Sequence, residues 1–223
     1  MAKASSATPE PGDLRERILA ASVTLLEEQG ISGLSLREVA RRAGVSHQAP
    51  YHHFADREAI LAAILHDGFR ILGESILGIV GAAKLKKPSK IVVRDAVTAV
   101  LVAYVRFAWE HPGHFGLMFR PEICNVERYP AAEDQAQMAL ASLHELVAFA
   151  VKKHPAWQDR QSELAATLWS MAHGYASLAG KGTMCQLQLG GAAPEDHLRD
   201  VTQLVGVMVS CVLEREPPER QNA

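Results

Sequence analysis

The feature that most constrains this chain is a period. Apolar residues return every three or four positions along almost its whole length, and the apolar/polar alternation of a half-buried strand is nearly absent. The pattern predicts an all-α protein. Its 223 residues can bury a core in one large or two smaller domains. The clearest internal break is KLKKPSK, residues 84–90, where four lysines and a proline interrupt the apolar pattern, so two domains are expected.

The first 65 or so residues carry the densest local signals. Helix 1 is expected to start at Asp13, with Glu16 completing a capping pair, to turn Leu14, Ile18, Ala21, Leu25 and Leu26 inward, and to end at Gly30. Ser35 and Glu38 form a second capping pair for a short helix with Leu36, Val39 and Ala40 inward and Arg37 and Arg41 outward. Ala43-Gly44-Val45 is then a tight turn, with Gly44 where a left-handed backbone is tolerated. Ser46 caps a third helix to about His53, and Asp56 caps a fourth running through Ile60, Leu61, Ile64, Leu65 and Phe69 towards Ile79.

Three short helices, the second and third joined by a glycine-containing turn, predict a helix-turn-helix unit. In such a unit the second helix of the pair enters the major groove of DNA and meets base edges with its N-terminal residues. Here that helix reads SHQAPYHH. Gln48 can pair bidentately with adenine, His47 can exchange a hydrogen bond with a base edge, and Ala49 can touch a thymine methyl. Ser46, Tyr51 and His52 complete the DNA-facing set, and Arg37 and Arg57 flank it as backbone contacts. The formal charge of −2 does not oppose this, because Arg37, Arg41, Arg42 and Arg57 crowd one region against only Glu38 and Asp56. Pro50 falls in or next to the first turn, where a missing N–H costs at most one bond, and it restricts Ala49.

The three histidines also raise a metal site. His47 and His52 are five apart and His52 and His53 adjacent, so none shares the three- or four-residue spacing that puts two imidazoles on one helical face. No nucleophile with a positioned base stands near them, so no catalytic residue and no cofactor is assigned.

The stretch LSLREVARRAGVSHQAPYHHFADREAILAAI resembles the DNA-binding domain of the TetR family of bacterial transcriptional regulators, over about residues 13–65. Trp169-Ser170-Met171-Ala172-His173-Gly174 is similar to the signature of one C-terminal subclass, the WHG domain. The resemblance implies a homodimeric regulator, most often a repressor, that binds a double-stranded DNA operator and is released by a small-molecule effector. It also gives His53 a structural role. Two reading heads must then lie about 34–36 Å apart to meet successive major grooves.

The expected organisation is a disordered arm at 1–12, a helix-turn-helix domain at 13–55, a connecting helix at 56–83, a ligand-binding and dimerisation domain at 84–214 and a disordered tail at 215–223. Within the regulatory domain, helices are expected at about 91–109, 115–119, 131–153, 161–180 and 195–214. Phe69, Phe107, His111, Phe115, Met118, Trp169, His173 and Tyr175 are the candidates for an effector pocket. His111 and His114 with His173 form a second metal hypothesis, set against a turn at Pro112-Gly113. In the last helix, Leu198, Val201, Leu204, Val205, Met208, Cys211 and Val212 form an apolar stripe with Val207 and Val209 beside it, which predicts a subunit interface.

No run nears the roughly 20 apolar residues a membrane span needs and no signal peptide is read, so the expectation is a cytoplasmic protein without a membrane partner. Cys124, Cys185 and Cys211 are scattered and expected to be free, buried thiols. Two other functions compete with the regulator: a constitutive DNA-binding protein without a ligand, and a helical metal-binding protein or enzyme whose N-terminal helices only pack.

Overall fold

Helical periodicity is realised along the chain. The computed structural model describes residues 11–180, 194–215 and 217, and among these it holds eight α-helices and no strand. They are α1 (Pro11–Gly33), α2 (Leu36–Ala43), α3 (Arg57–Lys84), α4 (Lys90–Glu110), α5 (Pro112–Met118), α6 (Pro130–Val151), α7 (Gln161–Gly180) and α8 (Pro194–Glu214). Short 3-10 turns stand at Ala49–His52, Val126–Arg128 and Pro155–Arg160. Helix α1 begins at Pro11, not Asp13, so the last two residues of the expected disordered arm are helical. Gly182, Gly190, Gly191 and Cys185 lie outside the described residues, as do positions 1–10 and 218–223.

The chain divides into two compact units. One comprises residues up to Asp67 together with Gly113–Glu133, and the other Gly68–Pro112 together with the chain from Asp134. The division differs from the expected boundaries, because α5 and the segment after it join the N-terminal unit. At Gly113 an added Cβ would stand 3.1 Å from Glu27 Cγ and 3.2 Å from Val23 Cγ1, so glycine permits the close approach to α1. The Gly113 N–H donates to Glu27 Oε1 at 3.2 Å.

In the first unit, α1 buries Ile18, Ala21, Leu25 and Leu26 as expected, along with Leu19. The Ser22 hydroxyl, also buried, donates to the Ile18 carbonyl at 2.7 Å. Gly30 takes a left-handed backbone (φ 67°), which breaks α1 there and leaves one further turn to Gly33. Helix α3 adds Ile60, Leu61, Ile64 and Leu65 to the same core.

In the second unit α4 is the spine and packs on both α7 and α8. It buries Val93, Val97, Val100, Leu101 and Val105; α6 supplies Leu146 and Val147, and α7 supplies Leu164, Leu168, Ala172 and Ala176. Helix α8 corrects the expected stripe. Its inward residues are Val201, Val205, Val209 and Leu213, four apart, whereas Leu204, Val207, Met208 and Cys211 are exposed. A helix apolar on two sides offers two such stripes, and the one beginning at Val201 is turned inward. Leu198 falls among residues whose side chains are not described. Cys211 is therefore not the buried thiol expected of it, while Cys124 is, and burial pushes the Cys124 thiol up to about 11.

His154 ends the turn after α6 and is buried at 5% exposure. It lies near Leu213 at the end of α8, and its Nε2 has no partner among the described residues. Burial holds its pKa below the ordinary histidine value, with Lys90 acting in the same direction and Glu214 against it. An unfolded histidine titrates near about 6.5, so below that pH the unfolded chain binds more protons at this position than the folded one. Stability is thus expected to fall as pH drops through about 6.5. Urea unfolding at pH 7.5 and 5.5 should show the loss, and His154→Gln should reduce it.

Candidate nucleic-acid interface

The exposed turn after α2 is built by a sequence of caps. Ser35, in extended backbone, accepts the Glu38 N–H at 3.2 Å and starts α2. Gly44 ends it in left-handed conformation (φ 66°), with the Gly44 and Val45 N–H groups returning to the Arg41 and Ala40 carbonyls. From there the expected third α-helix does not form. Residues Ala49–His52 make a 3-10 turn in which Ala49 N–H donates to the Ser46 carbonyl at 3.0 Å, Tyr51 to Gln48 at 3.1 Å and His53 to Pro50 at 3.0 Å. Pro50 has no N–H to give Ser46 in the α-helical pattern, and the tighter i to i−3 bond from Ala49 takes that carbonyl instead. The Ser46 side chain is not the cap that the sequence implied.

The turn sorts its residues by burial. Ser46, His47, Gln48, Tyr51 and His52 are exposed, Tyr51 by 55%, while Ala49 and Pro50 are buried and His53 half-buried. Ala49 at 9% belongs to the core, so the thymine-methyl contact expected of it has no exposed methyl to make it. Phe54, buried at the end of the turn, lies under the Arg15 guanidinium at 5.4 Å. Asp56 then caps α3 by accepting the Ala59 N–H at 2.8 Å.

The arginine crowd proves to be largely scaffolding. Arg41 grips Glu38 in a fork at 2.8 and 2.6 Å and holds its carboxyl below the usual range. Arg42 grips Glu28 likewise at 2.6 and 2.7 Å, and Arg57 donates to the Ile31 carbonyl. Arg17, unremarked in the sequence, donates to the Ala43 carbonyl at 2.8 Å. Of the four in the crowd, Arg37 is exposed and pairs with no carboxylate among the described residues.

The eight effector-pocket candidates are not brought together as a set. Phe115 and Met118 belong to the first unit and the other six to the second. In the second unit the organising group is Tyr104, which the sequence reading missed. Trp169 Nε1 donates to the Tyr104 hydroxyl at 3.2 Å, and that hydroxyl meets His173 Nδ1 at 2.9 Å. Burial drives the tyrosine pKa far above its ordinary value and the His173 pKa below its own. A phenol that accepts from Trp169 directs its proton at Nδ1, which places the imidazole proton on Nε2. Phe107 stacks obliquely on His111 at 5.2 Å and Trp109 on Tyr175 at 6.4 Å. Two open grooves in this unit, of about 800 and 550 Å³, run along α4 and α8 and are lined by other residues, Thr98 and Thr202 among them. Among the described residues no group of three or more His, Cys, Asp or Glu is placed to hold a metal ion. No helix there is long and apolar enough to cross a membrane.

A capped short helix, a left-handed glycine and an exposed polar 3-10 turn make up a helix-turn-helix-like unit. Comparison with known proteins agrees. A family model described as bacterial regulatory proteins of the tetR family matches residues 18–64, and one described as a tetracyclin repressor-like C-terminal domain matches residues 97–205, which include the Trp169–Gly174 motif. The HTH-type transcriptional regulator BetI of Yersinia pestis is 30% identical over 74 residues, which is 33% of this chain and 37% of that protein. The chain thus spans little more than a third of the length of that curated relative. A solved protein of unknown function from Rhodococcus sp. RHA1 is similar over 96% of this chain and 100% of its own, at 27% identity and a TM-score of 0.70. The TetR family transcriptional regulator PfmR from Thermus thermophilus shares the fold at a TM-score of 0.63 and 16% identity, over 91% of this chain and 100% of its own. The chain belongs to the TetR family of bacterial regulatory proteins.

Tyr104→Phe removes one hydrogen bond from Trp169 and one from His173. Denaturant unfolding should register a loss of about 1–3 kcal/mol, with the far-ultraviolet helical signal retained.

Proposed function

We propose that this protein is a homodimeric transcriptional repressor that reads a double-stranded DNA operator with the exposed turn after α2 and leaves it when a small-molecule effector occupies the second unit. The observation that carries the reading is the exposure of His47, Gln48, Tyr51 and His52 on a turn anchored by buried Ala49, Pro50 and Phe54. Gln48 and His47 supply base-edge chemistry, and Ser46, Tyr51, His52 and Arg37 supply phosphate contacts. Arg57, bound to the Ile31 carbonyl, has only its remaining donors to offer the DNA backbone.

Dimerisation is supported by the outer face of α8. Leu204, Val207 and Met208 are 59, 63 and 45% exposed on one helix, a patch that an isolated chain leaves in water. An isologous contact between two copies would cover it and pair the two reading turns. The effector reading is supported by the match of residues 97–205 to the C-terminal domain model, together with the aromatic and polar groups around Tyr104. A ligand releases DNA only by preferring the conformation that cannot bind it.

Gel shifts with the DNA upstream of the chain's own coding region test the first part. Wild type should bind with an affinity that falls steeply with salt, and the triple variant His47→Ala, Gln48→Ala, Tyr51→Ala should lose specific binding by about a hundredfold or more. Absence of wild-type binding at every salt concentration would remove the reading. For the dimer, sedimentation of Val207→Glu with Met208→Glu should give a folded monomer where wild type gives a dimer.

A further inference from the structure

We infer that DNA binding by this chain takes up protons, with His47, at its base edge beside the phosphates, and His52, at backbone phosphate, both acting as proton-dependent ligands of the DNA. The inference rests on the reading that the exposed turn faces DNA, and it adds a regulation of that same surface.

Both imidazoles are exposed and bracket Gln48 and Tyr51 on the outward side of the turn. Neither is paired with a carboxylate among the described residues. The surrounding elements leave little anionic charge free to pair with them. On α2, which packs against the turn, the charged groups are Arg37, Glu38, Arg41 and Arg42; Glu38 is held by Arg41, and Arg42 by Glu28 of α1. At the start of α3 they are Asp56, Arg57 and Glu58. Asp56 caps the Ala59 N–H, Arg57 holds the Ile31 carbonyl, and Glu58 is bound by Arg128 at 2.8 Å and by the Asn125 N–H at 3.4 Å. From α1, Arg15 covers Phe54 and Arg17 holds the Ala43 carbonyl. On the turn itself His53 is half-buried. Glu28, Glu38 and Glu58 are each held by an arginine, Asp56 caps a backbone N–H, and none of the four forms an ion pair with His47 or His52, which leaves both imidazoles open to a phosphate brought by DNA.

A neutral imidazole offers one N–H donor and no charge; a protonated one offers two donors and a cation. A phosphate within reach favours the protonated form of any histidine. Proton uptake then accompanies binding, and affinity rises as pH falls. The buried histidines work the other way. Burial lowers the pKa of His154 and of His173 in the folded chain, so acid destabilises the fold. The sign of the pH dependence therefore separates the two groups.

The test uses the full chain and fluorescein-labelled duplex from its own upstream region, with anisotropy read at pH 6.0, 7.0 and 8.0 at fixed ionic strength and helicity checked at each pH. Affinity is expected to rise from pH 8.0 to 6.0 by up to about fourfold for each histidine engaged. The plot of log affinity against log salt should steepen at pH 6.0 by up to about 0.9 per added cation. His47→Gln and His52→Gln should each remove their share, and the double variant should bind with little pH dependence. Binding by wild type that does not change with pH, or a double variant that keeps the wild-type pH profile, overturns the inference while leaving the DNA-binding reading intact. A wild-type chain that binds this duplex at no pH or salt overturns both.

Discussion

A four-residue 3-10 turn cannot hold its own shape, and the surface proposed to read DNA is such a turn. Its conformation is imposed from outside: by the left-handed Gly44 that ends α2, by Phe54 beneath Arg15, and by Asp56 at the head of α3. Within the first unit the arginines beside the turn serve that end. Arg17 and Arg57 each donate to a carbonyl of the chain itself and Arg42 to a carboxylate, so these arginines join helices. What faces outward on the turn is polar side chains, His47, Gln48, Tyr51 and His52.

Much of this is legible in the sequence because the signals are local. Ser35, Gly44 and Asp56 each act within four residues and do in the structure what their spacing implies, while the Glu38 carboxylate goes to Arg41 and not back to the cap. The turn itself is harder. A serine followed by a short run of mixed polarity reads as a capped helix, and the consequence of Pro50 for the Ser46 carbonyl becomes visible only when the competing Ala49 bond is seen. The burial of Ala49 is not legible either, since a 3-10 turn distributes its side chains on a three-residue period in place of the 3.6 of an α-helix.

Long-range organisation is less accessible still. The stripe on α8 is misread from sequence because the helix carries two apolar faces, and only packing on α4 tells Val201, Val205, Val209 and Leu213 from Leu204, Val207 and Met208. Tyr104 escapes notice because its importance lies in partners 65 and 69 residues away. The Trp169–Gly174 motif is visible as a resemblance, and the structure adds a reason for two of its residues to stand four apart: both reach one phenol oxygen from a single helix face.

Helix α5 and the segment up to Glu133 belong to the unit that carries the turn, although a long stretch of α3 and all of α4 intervene in the chain. The consequence is one of modularity. The unit that carries the turn is not a contiguous piece of sequence that can be excised or grafted by cutting after α3. A fragment ending there would lose the backbone that approaches Val23 and Glu27 through Gly113, and with it the Cys124–Arg128 segment that closes over Glu58. In a chain built this way, exchange of reading heads between relatives is constrained to carry two separated stretches together.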